Sequence, residues 1–151
     1  MKSVRKQFLI CTALAFASCT VMGEYSQRGY TIGELYTVSV GSTMVFWEKN
    51  RATYKIEGGK KKLIADSKTT VFRWELLYAG LNHHVLQILY REFQNTGNGI
   101  TVRPAFSQIY QYDLNDGATD IAFRSIRLKV FEANSQIIKF TVVEETIKDE
   151  N

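Results

Sequence analysis

The sequence predicts an all-β protein, a single small antiparallel β-barrel or β-sandwich of about 8–10 strands. Apolar and polar residues alternate over short runs, as where Phe72, Trp74, Leu76 and Tyr78 share one face of residues 71–78. Turn clusters of Gly, Asn and Asp separate these runs, for example at residues 95–99. The composition agrees, since 8 Tyr, 9 Phe and a single Pro favour strands over disorder or a helical bundle.

The same two signals place the strands along the chain. They are predicted at residues 35–40, 43–47, 53–56, 63–65, 71–78, 84–93, 106–114, 120–125, 126–133 and 136–143. Residues 100–102 resume pairing briefly before Pro104, which lacks the ladder donor and therefore marks an edge or a bulge. A helix competes only at residues 83–93, where apolar residues also recur at spacings of three and four, but the flanking turns favour a strand.

A hairpin turn is predicted between the third and fourth strands, because Gly58-Gly59 can supply the positive φ values that tight turns require. Lys60, Lys61 and Lys62 follow this turn. Two interpretations remain open for these lysines, a solvated turn and a contact with anionic lipid.

The first 19 residues have the features of an N-terminal targeting signal. Lys2, Arg5 and Lys6 precede an apolar run at residues 8–17, which is too short to span a bilayer as a stable helix of about 20 residues. The chain is therefore divided into a signal segment at 1–18, a lipidated tether at 19–33, the β domain at 34–145 and a polar tail at 146–151.

The end of this segment, Phe16-Ala17-Ser18-Cys19, resembles the lipobox of bacterial lipoproteins, with Phe16 where Leu is usual. The resemblance implies cleavage between Ser18 and Cys19 and attachment of Cys19 to membrane lipid. Thr20 follows the cysteine, which implies an outer-membrane location if the source is Gram-negative. Two alternatives stay open: ordinary cleavage after residues 15–17, which would release a secreted protein, and an uncleaved anchor or core helix.

Charge and cysteine content exclude two function classes. Three of the 19 Lys and Arg residues lie in the predicted signal, against none of the 15 Asp and Glu residues, so the mature chain is near neutral. The basic isoelectric point therefore predicts no nucleic-acid partner. Cys11 and Cys19 are the two cysteines, and both belong to the signal or its border, so no thiol chemistry is expected in the domain.

Short aromatic-rich stretches in the second half carry a further resemblance. They are residues 90–93, residues 103–108, residues 112–114, and Ala133-Asn134 with Ile138 and Phe140. This succession resembles small bacterial lipoproteins of uncharacterised function, which implies an envelope location and a β architecture. Residues 45–49 with Ala52-Thr53 are similar to a strand of the membrane-bound lysozyme inhibitors, although the cysteines typical of that family are missing. An inhibitor would need an exposed loop that enters the cleft of the hydrolase, and residues 47–53 are the segment expected to form it.

No pattern for catalysis, a metal or a cofactor is predicted. His83 and His84 are adjacent, so in a strand they point to opposite faces and cannot share one metal. The sequence shows no serine elbow and no phosphate-binding loop.

Five residues are candidates for contact with a partner because arginine and aromatic side chains anchor interfaces. They are Phe46, Trp47, Arg91, Arg103 and Tyr110. Burial in the core or alternation along a strand also explains them, and we favour that interpretation. The sequence thus predicts a non-enzymatic envelope module that binds a protein or glycan. The alternatives are an inhibitor of, or enzyme acting on, cell-wall components, and a structural subunit of an envelope complex.

Overall fold

The computed structural model describes residues 19–64, 67–114 and 120–146, and these residues adopt an all-β fold. The strands are β1 (Cys19–Arg28), β2 (Leu35–Ser39), β3 (Thr43–Glu57), β4 (Lys60–Leu63), β5 (Thr69–Asn82), β6 (Val85–Asn95), β7 (Ile100–Val102), β8 (Gln108–Asp113), β9 (Asp120–Phe123), β10 (Ile126–Ala133) and β11 (Ile137–Glu145). A short 3-10 helix, Pro104–Phe106, lies between β7 and β8. The prediction of an all-β fold is confirmed.

The strands form two antiparallel sheets. The larger sheet has seven strands in the order β1-β3-β5-β6-β7, with β4 also paired to β3 and β8 also paired to β6. It curls into a half-barrel, and the second sheet has the order β2-β11-β10-β9. The architecture therefore combines one curled sheet with a second sheet, rather than closing as a complete barrel.

The core lies between the sheets and is filled by alternating apolar residues, as the sequence pattern predicts. Leu76 and Tyr78 of β5, Leu86 and Ile88 of β6 and Phe140 of β11 are fully buried. The aromatic rings add specific contacts. Tyr36 stacks on Phe140 with ring centroids 5.6 Å apart, and Tyr110 packs edge-on against Phe123 at 4.9 Å.

Residues 83–93, where helix and strand are both compatible with the sequence, contain a strand and no helix. They enter β6, which begins at Val85 and pairs with both β5 and β8. His83 adopts a φ of 54° in the turn before β6. The predicted hairpin between β3 and β4 is also present, with φ values of 56° at Gly58 and 77° at Gly59.

The predicted loop at residues 47–53 is wrong, because β3 runs without interruption from Thr43 to Glu57. Glu48 and Asn50 look like loop residues in the sequence, yet both side chains are buried against neighbouring strands. Their polar atoms are satisfied by partners on the sheet, and this lets a strand continue through polar residues. The expected inhibitory loop at this position is therefore a central strand.

Residues 19–33 are predicted to form a tether, but the structure shows a strand in the first ten of them. Cys19–Arg28 forms β1 and pairs with β3 at every position, from Cys19 opposite Ile56 to Arg28 opposite Trp47. Glu24 is fixed to β3 by ion pairs with Lys49 at 2.7 Å and Arg51 at 3.0 Å. These cross-strand contacts cannot be read from a polar sequence, and they make Cys19–Arg28 part of the larger sheet rather than of a free tether.

Several predicted features lie outside the described residues. They are the signal segment through Ser18, residue 65 at the end of the predicted fourth strand and residues 147–151 of the polar tail. In the ranges that are described, no helix has both the length and the apolar character needed to cross a membrane.

Candidate functional site

Strand alternation places a set of charged and aromatic side chains on the face of the larger sheet that points away from the core, here called the outer face. The register sets Phe46, Glu75 and Arg91 side by side on β3, β5 and β6. The next row on the same face contains Glu48 and Arg73. Residues that are far apart in the chain thus become direct neighbours on three adjacent strands.

Five of these side chains form a continuous chain of ion pairs, here called the charged ladder: Lys68, Glu48, Arg73, Glu75 and Arg91. Lys68 Nζ lies 2.8 Å from Glu48 Oε1, and Arg73 bridges Glu48 at 3.5 Å and Glu75 at 2.9 Å. Arg91 donates from Nε to Glu75 Oε1 at 3.0 Å and also pairs with it through Nη2. Acids and bases therefore alternate across the sheet.

The acids of the ladder are buried and the bases are not. The side chains of Glu48 and Glu75 are 7% and 5% exposed, whereas those of Lys68, Arg73 and Arg91 are 39%, 27% and 34% exposed. Three cations face two carboxylates, so the ladder carries a net positive charge and shows its positive groups to solvent. Buried carboxylates are tolerated here because each one is paired.

Glu48 also belongs to a short hydrogen-bond network with Asn50 and Thr70. Asn50 Nδ2 donates to its Oε1 at 3.1 Å, and Thr70 Oγ1 donates to Asn50 Oδ1 at 3.0 Å. Burial alone would raise the pKa of Glu48, but the hydrogen bonds from Lys68 and Asn50 outweigh it and hold the pKa below its usual value. The carboxylate is therefore kept ionised.

Two aromatic rings flank the ladder. The Arg73 guanidinium lies over the Phe46 ring, with Cζ 4.1 Å from the ring centroid, and Arg91 lies 5.5 Å from the centroid of Phe93. Such cation–π contacts fix the planes of the guanidinium groups. The ladder is thus held both by charge and by stacking.

A second cluster, here called the Glu92 clamp, lies on the core side of β6. It contains Glu92, Tyr90, Arg103 and Arg124. The buried Glu92 carboxylate accepts from Arg124 Nη2 at 2.8 Å, from Arg103 Nη1 at 3.1 Å and from the Tyr90 hydroxyl. Arg124 belongs to the turn between β9 and β10, so the clamp connects the two sheets.

Arg124 reaches the clamp from an unusual backbone conformation. Its φ is 48°, in the left-handed region that non-glycine residues adopt at a cost. Its guanidinium also lies over the Tyr90 ring, with Cζ 4.6 Å from the centroid. The contacts that Arg124 makes with β6 offset the energetic cost of its backbone conformation.

The structure separates the five candidate contact residues. Phe46 and Arg91 share the outer face, linked through Glu75. Trp47 and Tyr110 pack against the core, and Arg103 belongs to the Glu92 clamp. The candidates therefore form no single patch: Arg91 belongs to the ladder, and Phe46 flanks it.

Sequence reasoning missed most of the two clusters. The missed residues are Glu48, Lys68, Arg73, Glu75 and Arg124. One signal was present, because Arg73 and Glu75 alternate with the apolar residues of β5 and so must share the opposite face. Their partners on β3 and β6 could not be assigned without the strand register.

Cys19, the predicted lipid-attachment residue, is exposed and begins β1. His83 Nδ1 lies 2.8 Å from Asn82 Oδ1 in the turn before β6. Among residues 19–64, 67–114 and 120–146, no group of three or more His, Cys, Asp or Glu side chains is arranged to hold a metal ion. Comparison of the chain with family models, curated proteins and solved structures gave no match.

Proposed function

We propose that this chain is a lipid-anchored cell-envelope protein whose β domain binds an anionic partner, without catalysing a reaction, through the charged ladder. The anchor rests on the lipobox-like residues 16–19, whose cysteine is exposed at the start of β1. Binding rests on one observation: partly exposed guanidinium groups are held above buried carboxylates and beside aromatic rings.

The ladder has the composition and the rigidity of an interaction site. Arginine and aromatic residues are over-represented among the residues that dominate binding energies. Arg73 is fixed by two carboxylates and the Phe46 ring, so little side-chain freedom remains to be lost when a partner binds. Preorganisation of this kind favours binding.

The charge distribution favours an anionic partner. A partner would meet the donors of Lys68, Arg73 and Arg91, because the two carboxylates lie beneath them. Guanidinium groups recognise carboxylates and phosphates through paired N–H donors. We favour an acidic protein surface, since arginine beside phenylalanine is typical of protein interfaces. An anionic glycan is the alternative, and a crosslinked adduct that contains sugar instead of a second protein would identify it.

The anchor is tested by incorporation of radiolabelled fatty acid into the full-length chain and into Cys19→Ala. We expect label in the wild type only. Equal labelling of both proteins would exclude acylation at this cysteine.

Binding is tested with a photo-crosslinking amino acid placed at Ile109 in cells that make the full chain. Ile109 lies opposite Leu89 on the outer face and is 59% exposed. Phe131, on the second sheet and 57% exposed, is the matched control position. We expect a discrete adduct from position 109 that is lost in Arg91→Gln, and none from position 131. Adducts of equal yield from both positions, or an adduct that persists without Arg91, would contradict the proposal.

A specific observation also favours assembly through β1. This strand pairs with β3 over ten residues without a bulge, and it ends the order of the larger sheet in the described part of the chain. Long edges without Pro or bulges invite pairing with another strand.

The edge is tested by Met22→Pro. Gly29 N–H donates to Phe46 O at 2.9 Å, so by alternation the N–H of Met22 points away from β3. We expect Met22→Pro, but not Met22→Ala, to abolish any larger assembly of the full-length protein in native electrophoresis.

A further inference from the structure

The end of the larger sheet that carries Cys19 also carries the lysine-rich hairpin between β3 and β4. Ile56 of β3 pairs with Cys19 of β1 on one side and with Lys61 of β4 on the other. In the next row, Lys55 lies between Thr20 and Lys62. Neighbouring strands are about 4.8 Å apart, so the Cα atoms of Cys19 and Lys61 are separated by roughly 10 Å.

This end of the sheet is strongly positive. Residues 55–62 contain four lysines, Lys55, Lys60, Lys61 and Lys62, and one acid, Glu57, which gives a net charge of +3. Glu57 pairs with Lys55 at 2.6 Å, and this hydrogen bond lowers the pKa of the Glu57 carboxyl. Lys60, Lys61 and Lys62 belong to β4, in which every residue is exposed.

We propose that these four lysines, here called the lysine end, rest on an anionic lipid surface and orient the anchored domain. The inference rests on the proposed attachment through Cys19. A lysine held near an anionic bilayer strengthens attachment by roughly fivefold, and basic residues act together with acyl chains as a second membrane signal. Because β1 begins at Cys19 itself, no spacer lifts the lysine end away from the lipid.

Two exposed apolar side chains support this placement. Met22 is 76% exposed, and its Cα lies about 10 Å along β1 from that of Cys19. Leu63, the last residue of β4, is 48% exposed. Lysines beside exposed apolar side chains match the boundary between headgroups and acyl chains, where charged and apolar groups are both accommodated.

The same placement sets the position of the charged ladder. Glu48 lies on β3 at eight residues from Ile56, the neighbour of Cys19. At about 3.3 Å per residue, the ladder stands roughly 26 Å from the membrane end of the sheet. A lysine end fixed to lipid would therefore present the ladder to a partner outside the headgroup layer.

The test uses the processed, acylated protein on vesicles of phosphatidylcholine alone or mixed with phosphatidylglycerol, and measures the rate at which an amine-reactive reagent modifies each lysine. We expect Lys55, Lys60, Lys61 and Lys62 to react roughly fivefold more slowly on the anionic vesicles, and this protection to disappear in 0.5 M salt. Lys129 and Lys139 of the second sheet are internal controls whose rates should be equal on both vesicles.

A variant pair completes the design. In Lys60→Gln/Lys61→Gln/Lys62→Gln we expect Lys55 to lose its protection on anionic vesicles, whereas the matched surface variant Arg127→Gln/Lys129→Gln should keep it. Retained protein whose hairpin lysines react equally on both vesicles would overturn this inference and leave the anchor intact. Protein that is not retained on either vesicle would instead overturn the proposed anchor.

Discussion

The ring of Phe46 lies directly on Gly29, so closely that a β-carbon at position 29 would overlap the ring. Gly29 also donates its N–H to the Phe46 carbonyl at 2.9 Å. The Arg73 guanidinium lies over the same ring, with Cζ 4.1 Å from its centroid. The glycine just after β1 therefore leaves room for the Phe46 ring, which in turn contacts Arg73 of the charged ladder.

We predict that Gly29→Ala lowers the free energy of unfolding by about 1–3 kcal/mol, because the added methyl group must displace the Phe46 ring. Urea denaturation of the full-length protein measures this loss. In a Phe46→Ala background the same glycine change should cost much less, since the overlapping ring is gone. An equal cost in both backgrounds would show that the ring is not the cause.

Removing the two arginines of the Glu92 clamp should cost more stability than removing the charge of Glu92. We predict that Arg103→Ala/Arg124→Ala costs about 3–5 kcal/mol, because it leaves the buried Glu92 carboxylate unpaired. Glu92→Gln should cost less, about 1–3 kcal/mol, because both arginines are partly exposed and can be solvated by water. Urea midpoints of the variants decide the order, and a more costly Glu92→Gln would contradict it.

The core strands could be predicted from the sequence because their pattern is local. In β5 the alternation of Trp74, Leu76 and Tyr78 with Arg73 and Glu75 already defines a buried face and a polar one. Turn residues mark the ends of such strands. No knowledge of the partner strands is needed for this step.

The ladder, the clamp and β1 could not be predicted because they depend on contacts between distant residues. Glu92 and Arg124 are 32 residues apart and belong to different sheets. β1 contains few apolar residues and is recognisable only through its register with β3. A polar side chain that is buried and paired has the same letter in the sequence as one that is solvated.

The stabilisation that the charged ladder provides should be lost at acid pH. Burial opposes ionisation of Glu48, yet hydrogen bonds from Lys68 and Asn50 lower its pKa below the ordinary value of 4.5. A carboxyl group whose folded pKa is lowered stabilises the protein above its unfolded pKa, and this contribution is lost as the pH falls through the folded pKa.

We therefore predict that the stability difference between wild type and Glu48→Gln is largest at neutral pH and shrinks below about pH 4.5. Urea midpoints between pH 7 and pH 3 measure it. Glu132→Gln is the control, because Glu132 pairs with Lys139 at the surface and such pairs contribute little. A difference for Glu48→Gln that stays constant over this range would contradict the prediction.

Three of the eight tyrosines should ionise late in alkaline solution. Burial raises the pKa of Tyr78, Tyr90 and Tyr112 above the ordinary value of 10, and the hydrogen bond to Glu92 raises that of Tyr90 further. A raised folded pKa means that the associated stability is complete below pH 10 and is lost as the pH rises, because the unfolded chain releases these protons first. Absorbance at 295 nm should therefore show a delayed phase that coincides with unfolding. Tyr90→Phe should reduce this phase and make the alkaline loss of stability less steep. A delayed phase of unchanged size in Tyr90→Phe would show that the Tyr90 hydroxyl is not held by the clamp.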